Sequence, residues 1–313
     1  MEENQFPIFT HSQWEEPLQH TPSPSPNVRR PAIGGQRLWL HILLFILTIA
    51  STFFVGLTDG VSGALWYSGG IMSILLAHEM GHYLTARRYG IPATLPFFIP
   101  MPFSPFGTMG AVIKMGGTIP NRRALMDVGA AGPLSGMALI IPAIVIGLLK
   151  SKLVPLTSLG ENSISLGDSL LFKILAWLSI GPTPKGQDVL LHPLAFAGWV
   201  GLLVTALNLL PIGQLDGGHI AYALLRGRSR NLSKIFYWIL IGICLFLYMG
   251  WFLLVVVLML IRKHPPTWDD QIPLDRKRAF MGWIALAVFV LSFTPVPFGF
   301  GEGLIPMLIK HLK

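Results

Sequence analysis

Residues Ala64 to Tyr83 are apolar and numerous enough to span a bilayer as one helix, yet they contain His78-Glu79-Met80-Gly81-His82. No other feature constrains the chain as tightly. Positions four apart share a helix face, so His78 and His82 can offer two imidazole nitrogens to one Zn²⁺, with Glu79 beside them as general base for a water. The bland alternative is a pair of packed histidines on a buried helix. A carboxylate and two imidazoles inside a lipid-spanning segment are costly unless something coordinates or hydrates them, which favours the metal.

The remaining composition agrees with a membrane setting, and the bilayer itself is an expected partner. Of 313 residues, 52% are hydrophobic and 12% charged, against about 25% charged in an average soluble domain. The net charge of +8 could suggest nucleic acid. Lys and Arg, however, gather at the ends of apolar segments, where they act as topology signals, and no nucleic-acid partner is expected. A lone cysteine, Cys244, excludes an intrachain disulfide. Residues 1–36 are polar and rich in Pro, Ser and His, without the short apolar core of a signal peptide, and are expected to form a disordered cytoplasmic tail.

Residues 37–313 are expected to be an all-α polytopic membrane domain with its core at 64–227. It should have about six transmembrane helices and a membrane-embedded, partly β-like re-entrant segment between the second and third. The spans are Leu38–Leu57, Ala64–Tyr83, Ala124–Leu149, Leu194–Leu210 with a continuation past Asp216, Ile235–Ile261 and Ala279–Val296. Arg29, Arg30 and Arg37 before the first span put the N-terminus inside, in what reads as a bacterial cell membrane, and Arg87-Arg88 marks the return. Six prolines between Ile91 and Pro120 forbid a single helix there. Broken backbone at membrane depth needs a covering of protein or a wet cavity. Within it Gly107 to Gly117 alternates loosely, so Gly107, Gly110, Ala111 and Val112 are candidates for binding an extended substrate by strand addition; a plain structural loop is the alternative. Gly132-Pro133-Leu134-Ser135-Gly136 reads as a surface for close helix packing. Leu170 to Leu178 reads as a short amphipathic surface helix. The fifth segment is expected to cross once as a tilted helix, two short half-helices hinged near Gly250 being the alternative, although a single crossing leaves Arg262-Lys263 and Arg276-Lys277-Arg278 on the outer side against the charge rule.

A zinc site needs a third ligand. The pattern in which a third His follows six residues after the second is absent, since Thr85 and Arg88 occupy its Gly and His positions. Among acidic and imidazole groups near apolar segments, His41, Asp59, Asp127 and His192 do not match the depth of the histidines. Asp216 does, counted back from the basic residues that mark the inner face, with His219 as a substitute or a supporting partner. Capping of a helix after Pro211 is the competing role for Asp216.

The motif on the second span, together with Asn208-Leu209-Leu210-Pro211-Ile212-Gly213-Gln214-Leu215-Asp216-Gly217, resembles the site-2 proteases, intramembrane zinc metalloproteases. The Gly132–Gly136 run and Gly107-Thr108-Met109-Gly110-Ala111 are similar to that family's pattern too. The resemblance implies His78, His82 and Asp216 as zinc ligands, Glu79 as catalytic acid/base and Asn208 near the reacting carbonyl. It also implies single-pass membrane proteins as substrates of regulated intramembrane proteolysis. The chain departs from larger members in showing no PDZ or CBS module. Two rival classes use the same residues: a metal-ion transporter with the His/Asp site, which has no need of Glu79 beside His78, and an inactive scaffold that retains zinc.

Overall fold

The computed structural model describes residues 37–158, 165–261, 267–299 and 302–311; the expected tail over 1–36 lies outside the described residues. The first apolar stretch forms α1 (Leu38–Gly56). A turn at Gly60, with φ +73°, sends α2 (Gly60–Arg88) back along it. The two helices touch closely because Gly56 lacks a side chain: a Cβ there would lie 2.7 Å from the Ala64 Cα. Thr52 and Ser68 hydrogen-bond across the pair at 2.8 Å, as polar groups must in an interior without water.

Asn121 accepts the Ala124 N–H at 3.0 Å and so starts α3 (Arg122–Leu149). This helix is the hub, packing against α2, α5 (Pro193–Asn208) and α6 (Asp216–Leu225). By length and composition the helical segments 38–88 and Arg122–Leu149 are long and apolar enough to cross a membrane. At its far end α3 meets α5 through glycine. A Cβ on Gly147 would fall 2.2 Å from the Ala195 nitrogen, and one on Gly198 would fall 2.5 Å from Ile144 Cγ1.

Between α2 and α3 the Pro-rich segment forms an antiparallel hairpin of β1 (Phe97–Pro100) and β2 (Thr108–Val112), with Phe97 opposite Val112 and Phe98 opposite Ala111. The β-like reading of 107–117 thus holds for its first half. The hairpin leans on α1 through Phe98 against Phe45. Its connecting loop is pinned by Tyr67 Oη donating to the Phe106 carbonyl at 2.8 Å and Ser51 Oγ to the Gly107 carbonyl at 2.5 Å.

The connection after α3 holds α4 (Leu170–Ile180), as the amphipathic reading expects, capped by Ser169. It also holds a small antiparallel sheet of β3 (Lys152–Pro155) and β4 (Gln187–Leu190) that sequence reading did not find, because four-residue, mostly exposed strands leave too little alternation to see.

One expectation is corrected. The fifth segment does not run through as a single helix. It is α7 (Ser229–Phe246), a break at 247–251, and α8 (Phe252–Ile261). Tyr237 Oη donates to the Val255 carbonyl at 3.3 Å, whereas 18 residues along one helix would separate these positions by about 27 Å. The two halves therefore fold into a hairpin. The break survives because its backbone is used: the Leu247 and Tyr248 amides both bond to the Ile243 carbonyl, and Met249 N–H bonds to the Glu302 carbonyl. The last two helices are α9 (Arg276–Ser292) and α10 (Leu304–His311). α9 stops at Ser292, short of the expected Val296, as Pro295 and Pro297 approach. With the hairpin in place, Arg278 lies against Asp127 and Tyr89, and Arg226 against Asp270. The basic residues at the C-terminal ends of α2 and α6 and at the starts of α3 and α9 are thereby gathered at one end of the bundle.

The α3–α5 contact yields a test. Gly147→Ala drives a methyl into the Ala195 backbone, and overpacking of this kind costs about 1–3 kcal/mol. The variant is expected to unfold at lower denaturant than the parent in detergent, with unchanged helix content by circular dichroism.

Candidate metal centre

On α2, His78 and His82 stand one turn apart and almost wholly buried, at 4% and 6% exposure. The third group arrives from a separate segment. Pro211 ends α5 at Asn208, since proline offers no N–H and disfavours helix in the residue before it. The chain then turns through Leu209, Leu210 and Ile212, all buried, and Gly213, with φ +58°. This turn presses against the start of α6 so tightly that a Cβ on Gly217 would sit 1.9 Å from the Leu209 carbonyl oxygen, and one on Gly218 would sit 2.2 Å from that of Gly213. Asp216 is therefore held as the first residue of α6 with its side chain aimed at α2. It does not cap: the N-cap is Leu215, and no side-chain cap bond is made.

Asp216 Oδ2 lies 3.4 Å from His78 Nε2 and 3.2 Å from His82 Nε2, and the two Nε2 atoms are 3.2 Å apart. Three donors bound tetrahedrally to one zinc at about 2.0–2.1 Å would be about 3.3 Å from one another, so the triangle has the right size. It is the one such His/Cys/Asp/Glu group among the described residues. His82 Nδ1 is 2.8 Å from the Val128 carbonyl oxygen. A carbonyl can only accept, so Nδ1 carries the hydrogen and Nε2 turns its lone pair into the centre.

The Gly132–Gly136 run packs closely, as expected, but part of what it packs against is the centre itself. A Cβ on Gly132 would lie 2.0 Å from His82 Nε2, inside the imidazole, whereas one on Gly136 would make ordinary contact with His78 Nδ1 at 3.4 Å. Gly81 supplies the matching approach from α2, with a would-be Cβ 2.5 Å from the Ala131 carbonyl oxygen. Sequence reading recognised these small residues as a packing surface. It could not tell that one of the partners is the His82 ring of the candidate centre, since a small-residue stripe looks the same in either case.

Glu79 is buried at 6% exposure, with the backbone of Ile113, just past β2, close to its carboxyl group. Asn208, the last residue of α5, brings Nδ2 to 3.3 Å from His78 Nε2. Of the strand candidates, Gly110, Ala111 and Val112 lie on β2. Gly107 precedes the strand with φ +72°, where a Cβ would strike Thr52 Cα at 2.7 Å. That contact and the Ser51 bond account for Gly107 as a packing residue of α1, with its neighbour Phe106 at the level of Tyr67, about 16 Å along α2 from His78.

Three of the four groups set aside on depth are employed elsewhere. His41 bonds to the Pro96 carbonyl at 3.1 Å, His192 caps α5, and Asp127 accepts a bidentate pair from Arg278 at 2.8 Å. His219 places its Cβ near Gly129 and is not part of the ligand triangle.

Residues 66–249 match the profile of peptidase family M50. The chain belongs to that family. Among curated relatives, it is 27% identical over 301 residues to "Probable zinc metalloprotease EGY1, chloroplastic" of Arabidopsis thaliana, covering 84% of this chain and 54% of that protein. It is 32% identical over 249 residues to "Probable zinc metalloprotease EGY2, chloroplastic" of Oryza sativa subsp. indica, covering 78% and 44%. The rice "Probable zinc metalloprotease EGY3, chloroplastic" is 34% identical over 212 residues, covering 60% and 34%. The chain thus spans about half the length of these relatives, or less. No solved structure matches it.

The different glycine clearances can be tested directly. Gly132→Ala is expected to expel the His82 ring and abolish stoichiometric metal binding, while Gly136→Ala retains it. Elemental analysis of both purified proteins decides the matter.

Proposed function

We propose that this chain is an intramembrane zinc metalloendopeptidase that cuts single-pass membrane proteins within their transmembrane segments. The observation that carries the reading is the convergence of His78, His82 and Asp216, with buried Glu79 beside them, in the interior of an apolar helical bundle. M50 membership and the zinc-metalloprotease names of the relatives support it. No comparison favours the metal-ion transporter.

His78, His82 and Asp216 would hold a zinc ion, which when bound would supply an acidified water and polarise the scissile carbonyl. Glu79 accepts the proton of the attacking water and returns it to the leaving amine. The Ile113 backbone lies beside this carboxyl group. Asn208 offers an amide N–H beside His78, suited to steadying the negative charge that builds on the substrate oxygen.

A peptide in a transmembrane helix hides its carbonyls in its own hydrogen bonds, so it must unwind first. β2 offers a path. Backbone groups two residues apart point to the same edge of a strand. The edge from which Ile113 reaches Glu79 therefore also carries Ala111, and an unwound substrate added there would pass the catalytic carboxylate. Gly110 and Val112 serve this edge by keeping the β1–β2 ladder in register.

The chain is read as multi-pass in a cell membrane of bacterial type, with the basic end of the bundle and the N-terminus cytoplasmic, in accordance with the positive-inside rule. The hairpin of α7 and α8 supports this orientation, because it lets Arg226 and Arg278 share a side. The ligands then lie about 9–15 Å inside that face, counting back from Arg88 at 1.5 Å per residue.

Glu79→Gln keeps the shape of the side chain but cannot take a proton. It is expected to retain zinc and lose hydrolysis of a model transmembrane substrate by at least about a hundredfold, the usual scale for a general base. Cleavage near the parent rate would refute the mechanism. For the strand, Ala111→Pro removes a donor from the open edge, where proline is tolerated. Cleavage is expected to fall with zinc content and helix content intact; an unchanged rate would exclude strand addition at this edge.

A further inference from the structure

Beyond the M50-matched residues, the segment 267–278 makes an unusual set of bonds. It touches the basic ends of all three helices that build the metal centre. On the α6 side, Tyr222 Oη donates to Asp270 Oδ2 at 2.5 Å, and the Arg226 guanidinium donates to the Asp270 carbonyl. Thr267 Oγ1 holds the other oxygen of the same carboxylate at 2.5 Å. At the entrance to α3, Trp268 and Asp269 N–H groups donate to the Ile119 and Pro120 carbonyls, both at 3.0 Å. One turn into that helix, Asp127 receives Arg278 through two 2.8 Å bonds. On the α2 side, Tyr89 Oη donates to the same Asp127 at 2.5 Å and accepts from Arg278 at 3.1 Å. Asp275, whose carboxyl is held below its ordinary value by the backbone N–H and guanidinium of Arg278, completes the corner.

We propose that Thr267–Arg278 is a positioning strap that sets the spacing of the metal ligands by tying the ends of α2, α3 and α6 to one another. The inference rests on the reading of His78, His82 and Asp216 as a zinc centre. α6 has ten residues, with Asp216 at one end and Tyr222 beyond its middle. Held at its strap end alone, a rod of about 15 Å that swings by about 5° would move its other tip, where Asp216 sits, by about 1 Å, enough to spoil a tetrahedral ligand set. The turn before Asp216 and the strap beyond Tyr222 hold α6 at both ends and remove that swing. Arg122 reinforces the same end, with its guanidinium on the Ala223 carbonyl at 2.5 Å and 3.1 Å. On α2, His82 stands seven residues from Tyr89, so the tie from Tyr89 to Asp127 holds the histidine helix to the helix that bears Gly132. None of the strap residues touches the ligands; Tyr222 and Arg278 act through helix orientation.

Zinc affinity of the full chain in detergent, measured by competition with a chromophoric chelator, tests the role. The visible spectrum of the Co²⁺-loaded protein reads ligand geometry in parallel. Tyr222→Phe deletes a hydroxyl at no packing cost, and Arg278→Gln removes the ion pair. The double variant is expected to bind zinc about tenfold more weakly, the low end of what supporting partners of metal ligands contribute. Its Co²⁺ spectrum should lose tetrahedral intensity, while the unfolding temperature of the metal-free protein stays near that of the parent. Leu148→Ala, a cavity at the opposite end of α3, should lower the unfolding temperature and leave zinc affinity unchanged. Unaltered affinity and spectrum in the double variant would overturn the strap. So would an equal loss of affinity in Leu148→Ala, which would reduce the effect to general stability. A His78→Ala protein that binds zinc like the parent would instead overturn the metal centre, and the strap's role with it.

Discussion

The structure depends on one constraint: two imidazoles and a carboxylate able to hold a metal ion must be placed within an apolar helical bundle. An imidazole there needs both a partner for its second nitrogen and room for its ring. α3 provides both within one turn, as the Val128 carbonyl accepts from His82 Nδ1 and the bare Cα of Gly132 leaves space for the ring. Gly81 lets α2 come close enough for the contact to form. The packing of α2 on α3 and the geometry of the centre are thus a single interaction, and a methyl group in the wrong place damages both.

The third ligand poses a different problem. Asp216 sits on a short helix reached through a turn, where backbone is ordinarily adaptable. Here the turn is compressed until only glycine fits at 217 and 218, and its apolar residues Leu209, Leu210 and Ile212 are fully buried. Burial anchors the start of α6, and hydrogen bonds from Arg122 to the Ala223 carbonyl and from Tyr222 to Asp270 anchor its end. Fixing both ends of a ten-residue helix is a way to locate one carboxylate within the small tolerance that a tetrahedral site allows.

The hairpin of α7 and α8 settles a conflict between length and charge. An apolar run of this size can cross a bilayer once, and the hydrophobic pattern alone favours that solution. The charges do not, because a single crossing separates Arg226 from Arg278. Folding the run back on itself joins them at one end and at the same time brings 267–278 onto α2, α3 and α6. The hairpin is therefore a precondition for the bonds that hold the basic end together.

Read alone, the sequence sufficed for the positions of the long helices, for His78 and His82 on one helix face with Glu79 beside them, and for Asp216 as the acid at matching depth. These are local or periodic properties: a spacing of four places two imidazoles together on any helix, and depth along a span follows from a constant rise. The small residues at Gly132 and Gly136 were legible as a close contact, for the same reason. What tertiary structure decided was what each element meets. No local pattern states that Gly132 faces a ring and not a backbone, that Asp127 is claimed by Arg278 151 residues away, or that Gly107 packs on Thr52 while Ala111 shares an edge with the contact to Glu79. Nor does hydropathy distinguish one long crossing from two halves folded together, since both bury the same side chains in the same solvent. Those outcomes depend on contacts between residues far apart in the chain, and such contacts exist only once the helices have been brought side by side.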